Sequence, residues 1–180
     1  MSDAPLDAGD LREWLEELAA ALRREGEADV PCAGCTACCE ASQFVHVAPD
    51  EVDALAHIPS ALLFPAPGAP DGHLVMGYDE HGRCPMLIDG GCSIYEHRPR
   101  TCRTYDCRVF AATGVEPSGA SQAAVAARAR RWRFAVRDER DEASLRTMKA
   151  EATRLRAETQ LPDIAVALAA IEHTTTGDHE

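Results

Sequence analysis

Four cysteines fall within eight residues, Cys32, Cys35, Cys38 and Cys39, and four more follow at Cys84, Cys92, Cys102 and Cys107. These eight are all the chain has. A thiolate is a strong, soft ligand suited to zinc, copper(I) and iron–sulfur clusters. Cys-x2-Cys steps let one tight loop aim several sulfurs at one centre, and Cys32, Cys35 and Cys38 make two such steps in succession. Gly34 between the first two lets the backbone turn tightly. Iron–sulfur proteins use this triple, often with a further cysteine that precedes a proline, and Cys84-Pro85 supplies one from far along the chain.

Structural zinc sites usually draw on two closely spaced ligand pairs. The second cysteine segment offers none, because seven, nine and four residues separate its members. The spacing therefore favours a cluster over zinc. Cys38 and Cys39 are adjacent, and neighbouring side chains diverge. Either one is a spare thiol or the two face different centres. Eight thiolates can fill two four-ligand sites, or one cluster with a free redox set beside it. A spare Cys39 near arginine would have a lowered pKa and could act as a nucleophile.

The segment Cys32-x2-Cys35-x2-Cys38-Cys39, Gly82-x-Cys84-Pro85-x-Leu87, Cys92-x-Ile94-Tyr95-Glu96-x-Arg98-Pro99-x2-Cys102-Arg103-x-Tyr105-x-Cys107 resembles the bacterial CxxCxxCC family, also called YkgJ-type, a zinc- or iron-chelating domain. The resemblance spans about residues 31–110 and includes counterparts of all eight family cysteines. It implies a metal-chelating domain, with an iron–sulfur cluster as the expected centre. A similar motif occurs in a flagellin lysine methylase. Thr36 stands where the family often has glycine, which bears on loop geometry rather than ligation.

Around the thiols, Arg98, Arg103 and Arg108 could offset the charge of a bound cluster and donate to sulfur, or could pair with Glu96 or Asp106. Tyr95 and Tyr105 could reach the same shell, or could pack with their hydroxyls bonded. His46, His81 and His97 could each give nitrogen to zinc, but with eight thiols present they read better as surface or core side chains. Six arginines, Arg128, Arg130, Arg131, Arg133, Arg137 and Arg140, crowd Trp132 and Phe134. Such a stretch can grip single-stranded nucleic acid. The net charge of −12 favours a solvated helix face paired with the acidic N-terminal helix, and argues against nucleic acid and anionic membranes.

The elements that must hold these residues read as follows. An amphipathic helix covers residues 8–26, with Leu11, Trp14, Leu15, Leu18 and Leu22 on one face. Short strands are expected at Gln43–Val47 and Leu74–Met76, a helix from Pro49 to His57, and a proline-rich loop over 58–73. Gly90-Gly91 suits a hairpin turn. Helices follow over Gln122–Val136, Glu142–Thr159 and Pro162–Ile171, and a disordered tail is expected over 174–180. No glycine-rich phosphate loop, dinucleotide fingerprint or Ser-His-Asp pattern occurs, and the chain is too short for a radical-SAM barrel.

The mean hydropathy is −0.25, no apolar run is long enough for a membrane helix, and the acidic N-terminus lacks the features of a secretory signal. A cytoplasmic location is the expectation, where thiols stay reduced and disulfides are disfavoured.

Together these features predict a mainly α fold with small irregular β elements, as one domain over residues 1–173. A cysteine core at 31–110 would lie between the N-terminal helix and C-terminal helices at 121–173. The predicted function is iron–sulfur binding, of the [4Fe–4S] type, with a redox, sensing or accessory role. A structural zinc module presenting helices to a protein partner, and an iron- or cluster-dependent enzyme, are the alternatives. The oligomeric state is left open.

Overall fold

The computed structural model describes residues 4–23, 30, 32 and 34–176. In chain order its elements are β1 (Leu6–Asp10), α1 (Leu11–Leu22), β2 (Val45–Val47), α2 (Val52–His57), β3 (Leu63–Pro65), β4 (Leu74–Met76), β5 (Leu87–Ile88), β6 (Gly91–Cys92), α3 (Arg100–Thr104), α4 (Arg108–Thr113), α5 (Ala123–Ala129), β7 (Trp132–Ala135), α6 (Glu139–Glu158) and α7 (Asp163–Thr176). The fold is mainly α with small β elements. No helix among the described residues is long and apolar enough to cross a membrane.

The chain falls into two compact units. The first takes its residues from Met1–Ala28, Asp106–Gly119 and Val125–Glu180, the second from Asp29–Tyr105 and Ala120–Ala124.

The first unit is built on helices. α1 buries Leu11, Trp14 and Leu18 on one stripe, the spacing its sequence predicts. Its start is capped by Asp10, whose side chain accepts from the Arg12 and Glu13 amides. β1 precedes it and pairs in parallel with β7, Leu6 opposite Trp132 and Asp7 opposite Arg133. β7 corrects the expected helix over Gln122–Val136. α5 stops at Ala129, and the aromatic residues Trp132 and Phe134 favour the strand partner that β1 provides. The expected stop of the N-terminal helix at Gly26 lies outside the described residues. α7 continues through Thr174–Thr176, beyond its expected end.

α6 packs on α7 and both pack on α4. Their core holds Val109, Phe110, Met148, Ala152, Leu155, Val166 and Ile171. Asp106 is 5 % exposed and gathers four donors. The Trp14 indole donates at 2.7 Å and Arg108 donates from its backbone amide, Nε and Nη2. Arg108 also reaches the Ala8 carbonyl at 3.1 Å.

The arginine-rich stretch is engaged inside this unit. Arg137 pairs with Asp10 and Glu13, Arg130 with Glu116, and Arg128 lies over the Trp132 ring. Arg131 donates to the Ala4 carbonyl. In return Arg12 of α1 pairs with Asp138 and with buried Asp141. Trp14 and Phe134 meet ring to ring, their centroids 4.6 Å apart.

The second unit carries little regular structure. Its antiparallel sheet runs β2-β4-β3, with Val45 and Leu63 both opposite Met76. Alternation along β2 buries Val45 and Val47 and leaves His46 half-buried. These valines join Ala54, Ile58, Met76, Met86 and Ile94 in one apolar cluster. Buried Glu51 ties the unit together, accepting from the Ala48 amide at 2.8 Å and from the Arg100 amide at the start of α3. The β5–β6 hairpin turns on Asp89 and Gly90, both with positive φ, one residue earlier than the expected Gly90-Gly91 turn.

Candidate metal centre

Seven cysteines line one pocket in the second unit: Cys32, Cys35, Cys38, Cys39, Cys84, Cys92 and Cys102. The pocket holds about 80 Å³ and is closed mainly by apolar side chains, including Val45, Met76, Met86 and Ile94. No disulfide joins any of the eight cysteines.

Local backbone geometry explains how segments 45 residues apart meet. The first run turns at Gly34, with φ of 69°, and the Cys35 amide donates to the Cys32 carbonyl at 2.8 Å. A 3-10 turn over Cys38–Glu40 then carries its two adjacent cysteines, and both line the pocket. The Cys84 amide donates to the Cys39 carbonyl at 2.7 Å, and the Ser42 amide to the Gly82 carbonyl at 2.9 Å. These two bonds lay the second segment against the first. The β5–β6 hairpin then delivers Cys92 and α3 delivers Cys102. Cys84, Cys92 and Cys102 all pack against the apolar cluster under the sheet.

Within the seven, four thiols act on one another. Cys39 hydrogen-bonds Cys84, and this bond, then burial, then the sulfurs of Cys84, Cys92 and Cys102 all raise the Cys39 thiol. The same bond lowers Cys84 against its burial, with help from the Met86 and Leu87 amides. Burial, followed by Cys84 and Cys92, pushes the Cys102 thiol up to about 12, against the pull of Arg98. Burial also raises Cys92, against the Ile94 amide and Arg98. Cys39, Cys92 and Cys102 resist becoming charged beside Cys84, a cost that a bound cation relieves.

Arg98 is 9 % exposed. It lies over the Tyr95 ring at 3.6 Å, donates from Nε to the Tyr95 carbonyl at 2.8 Å, and lines the pocket with Tyr95 and Tyr105. The Tyr105 hydroxyl accepts from Gln43 at 3.3 Å. The Arg103 Nε is buried with no hydrogen-bond partner among the described residues. Arg108 takes the alternative foreseen for it, an ion pair with Asp106.

Cys107 belongs to the first unit. It is buried, and its Sγ accepts from the Trp132 indole at 3.1 Å. Among the histidines weighed as ligands, His46 bonds His73 at 2.9 Å, His81 is exposed beside Glu80, and His97 bonds Asp53 at 2.9 Å. Sequence reasoning did not foresee the grouping of His97 with Asp53 and His57. The four-residue step from Asp53 to His57 was its only local signal. The apolar lining from Met76 and Met86 was equally hidden, because it depends on which strands pair.

No curated protein and no solved structure matches the chain. The sequence profile of a family described as "Putative zinc- or iron-chelating domain" matches residues 31–124, which is more than half of the chain and includes every cysteine. On that match, made over the same residues that build the thiol-lined pocket, the chain belongs to the CxxCxxCC family of zinc- or iron-chelating domains.

Proposed function

We propose that the pocket holds an iron–sulfur cluster, of the [4Fe–4S] type, and that the protein works in electron transfer, redox sensing or an accessory step of such chemistry. The observation that carries this reading is the mutual grouping of Cys39, Cys84, Cys92 and Cys102. They would be the ligands of one centre, four thiolates being the usual cluster set. Cys32, Cys35 and Cys38 are a second set of thiols on the same pocket.

The donor set fits the group. It is all sulfur, it is shielded by an apolar wall, and it has a buried guanidinium to offset charge. When bound, a cluster supplies one-electron chemistry. The chain's part is to exclude water through Val45, Met76, Met86 and Ile94, and to set the potential through Arg98. The Arg103 Nε–H, unsatisfied among the described residues and next to Cys102 in sequence, is a further donor for a charged sulfur centre.

Four thiolates also suit tetrahedral zinc. The surplus of sulfurs favours the cluster, because a zinc ion takes four and the pocket presents seven. The test is serine substitution at Cys39, Cys84, Cys92 and Cys102, with Cys35→Ser as a probe of the second set. Each of the four should lose iron and visible absorption together when purified without oxygen. Full metal content in any of the four would remove that residue from the ligand set, and full content in all would end the proposal.

A further inference from the structure

Away from the thiols, the second unit gathers three other metal-capable side chains. Asp53 and His57 stand four residues apart on α2, so one face of that short helix carries both. His97 comes from the 3-10 turn Tyr95–His97. One oxygen and two nitrogens from the three all lie within 4.8 Å of one another. The imidazoles stack with centroids 3.4 Å apart and planes 3° from parallel.

Their hydrogen bonds already orient both rings. His57 Nδ1 is 2.8 Å from the Asp53 carbonyl oxygen, and His97 Nδ1 is 2.9 Å from Asp53 Oδ2. Both Nδ1 atoms thus face Asp53, that of His57 3.6 Å and that of His97 2.9 Å from a carboxylate oxygen, so an ion entering there would take the place of the proton that these groups share.

We propose that Asp53, His57 and His97 form a second metal site, for a single Zn²⁺ or a similar borderline divalent ion, with water filling its remaining positions. Imidazole and carboxylate suit zinc, which binds them at about 2.0–2.2 Å. The stacked rings must tilt toward each other to converge on one ion. The side chains of His57, His97 and Asp53 are 41 %, 39 % and 69 % exposed, which leaves each a solvent-facing side toward which to move. The Arg103 charge is felt at Asp53 and, with only three protein ligands, sets the affinity below that of a four-ligand structural site. The donors differ in kind from the thiols, so the site does not rest on the identity of the centre in the cysteine pocket. Filling it would join α2 to the turn whose Tyr95, with the following Arg98, lines that pocket.

The test uses the full chain with the cysteine pocket as isolated. Zn²⁺ is added in a calorimetric titration after the metal already present has been measured. The wild type should take up one further equivalent. His57→Ala and His97→Ala should each weaken it at least about tenfold, and Asp53→Asn by about tenfold, with the original metal content unchanged. Exposed His57 keeps the test valid if His97→Ala disturbs folding. Co²⁺ in place of Zn²⁺ should show no sulfur-to-cobalt charge transfer. The proposal is overturned by any of three results: no further equivalent in the wild type, equal affinity in His57→Ala, or a charge-transfer band that puts the ion on spare thiols.

Discussion

Arg98 shows how one side chain serves both the fold and the centre. Its Nε is committed to the Tyr95 carbonyl and its plane to the Tyr95 ring, while its charge pulls down the Cys92 and Cys102 thiols. A fixed positive charge favours the more negative, reduced state of a cluster. Replacing it by Met keeps most of the stem and removes the charge. Arg98→Met should therefore keep its iron and show a midpoint potential lower by on the order of 50 mV. A redox titration of both proteins reads this directly, and an unchanged potential would show that Arg98 serves packing alone. Asp106 is the counterpart in the first unit, a buried carboxylate with all its charge matched by Arg108 and Trp14. Asp106→Ala leaves Arg108 buried and unpaired, so it should cost roughly 3–5 kcal/mol of stability in denaturant unfolding.

Glu151 of α6 pairs with Arg154 on its own helix and with His173 of α7, and the effect shows in pH dependence. Arg154, then His173, holds the Glu151 carboxylate down to about 2, from an ordinary value of 4.5. A carboxylate depressed in the folded state stabilises above its unfolded value and stops doing so as pH falls through the folded one. The window is thus pH 4.5 down to about 2. Over it the melting temperature of the wild type should fall more steeply than that of Glu151→Gln, and parallel curves would remove Glu151 from the account.

Elements were legible in the sequence where their signal was local. The stripe Leu11, Trp14 and Leu18 announced α1 and Val45–Val47 announced β2, whereas α6 starts at Glu139, three residues before the expected Glu142. The strand Trp132–Ala135 was not legible. Its partner is about 125 residues away, and its arginines continued a helical pattern. The thiol pocket was half legible. Spacing identified the ligand type, but the grouping of Cys39 with Cys84, Cys92 and Cys102 depends on the amide of Cys84 bonding the Cys39 carbonyl, which no spacing encodes.

Taken as a whole, the chain divides its stability between two kinds of cohesion. The first unit has a core of helices, Met148 and Val166 among its fully buried residues. The second has small sheets, one-turn helices and a modest apolar cluster, so a bound metal should supply much of its folding energy. Stripping metal with a chelator under reducing conditions should therefore unfold residues of the second unit, read as lost amide protection over 38–105. Protection in α6 and α7 should persist. Uniform loss across both units, or none in either, would contradict this division.

If sulfurs converging from two distant segments hold iron together with inorganic sulfide, both can be counted per chain in protein purified without oxygen. Iron and acid-labile sulfide should appear in equal amounts, about four of each for one [4Fe–4S] cluster, in brown protein that bleaches with dithionite. Colourless protein with stoichiometric zinc and no sulfide would overturn the cluster.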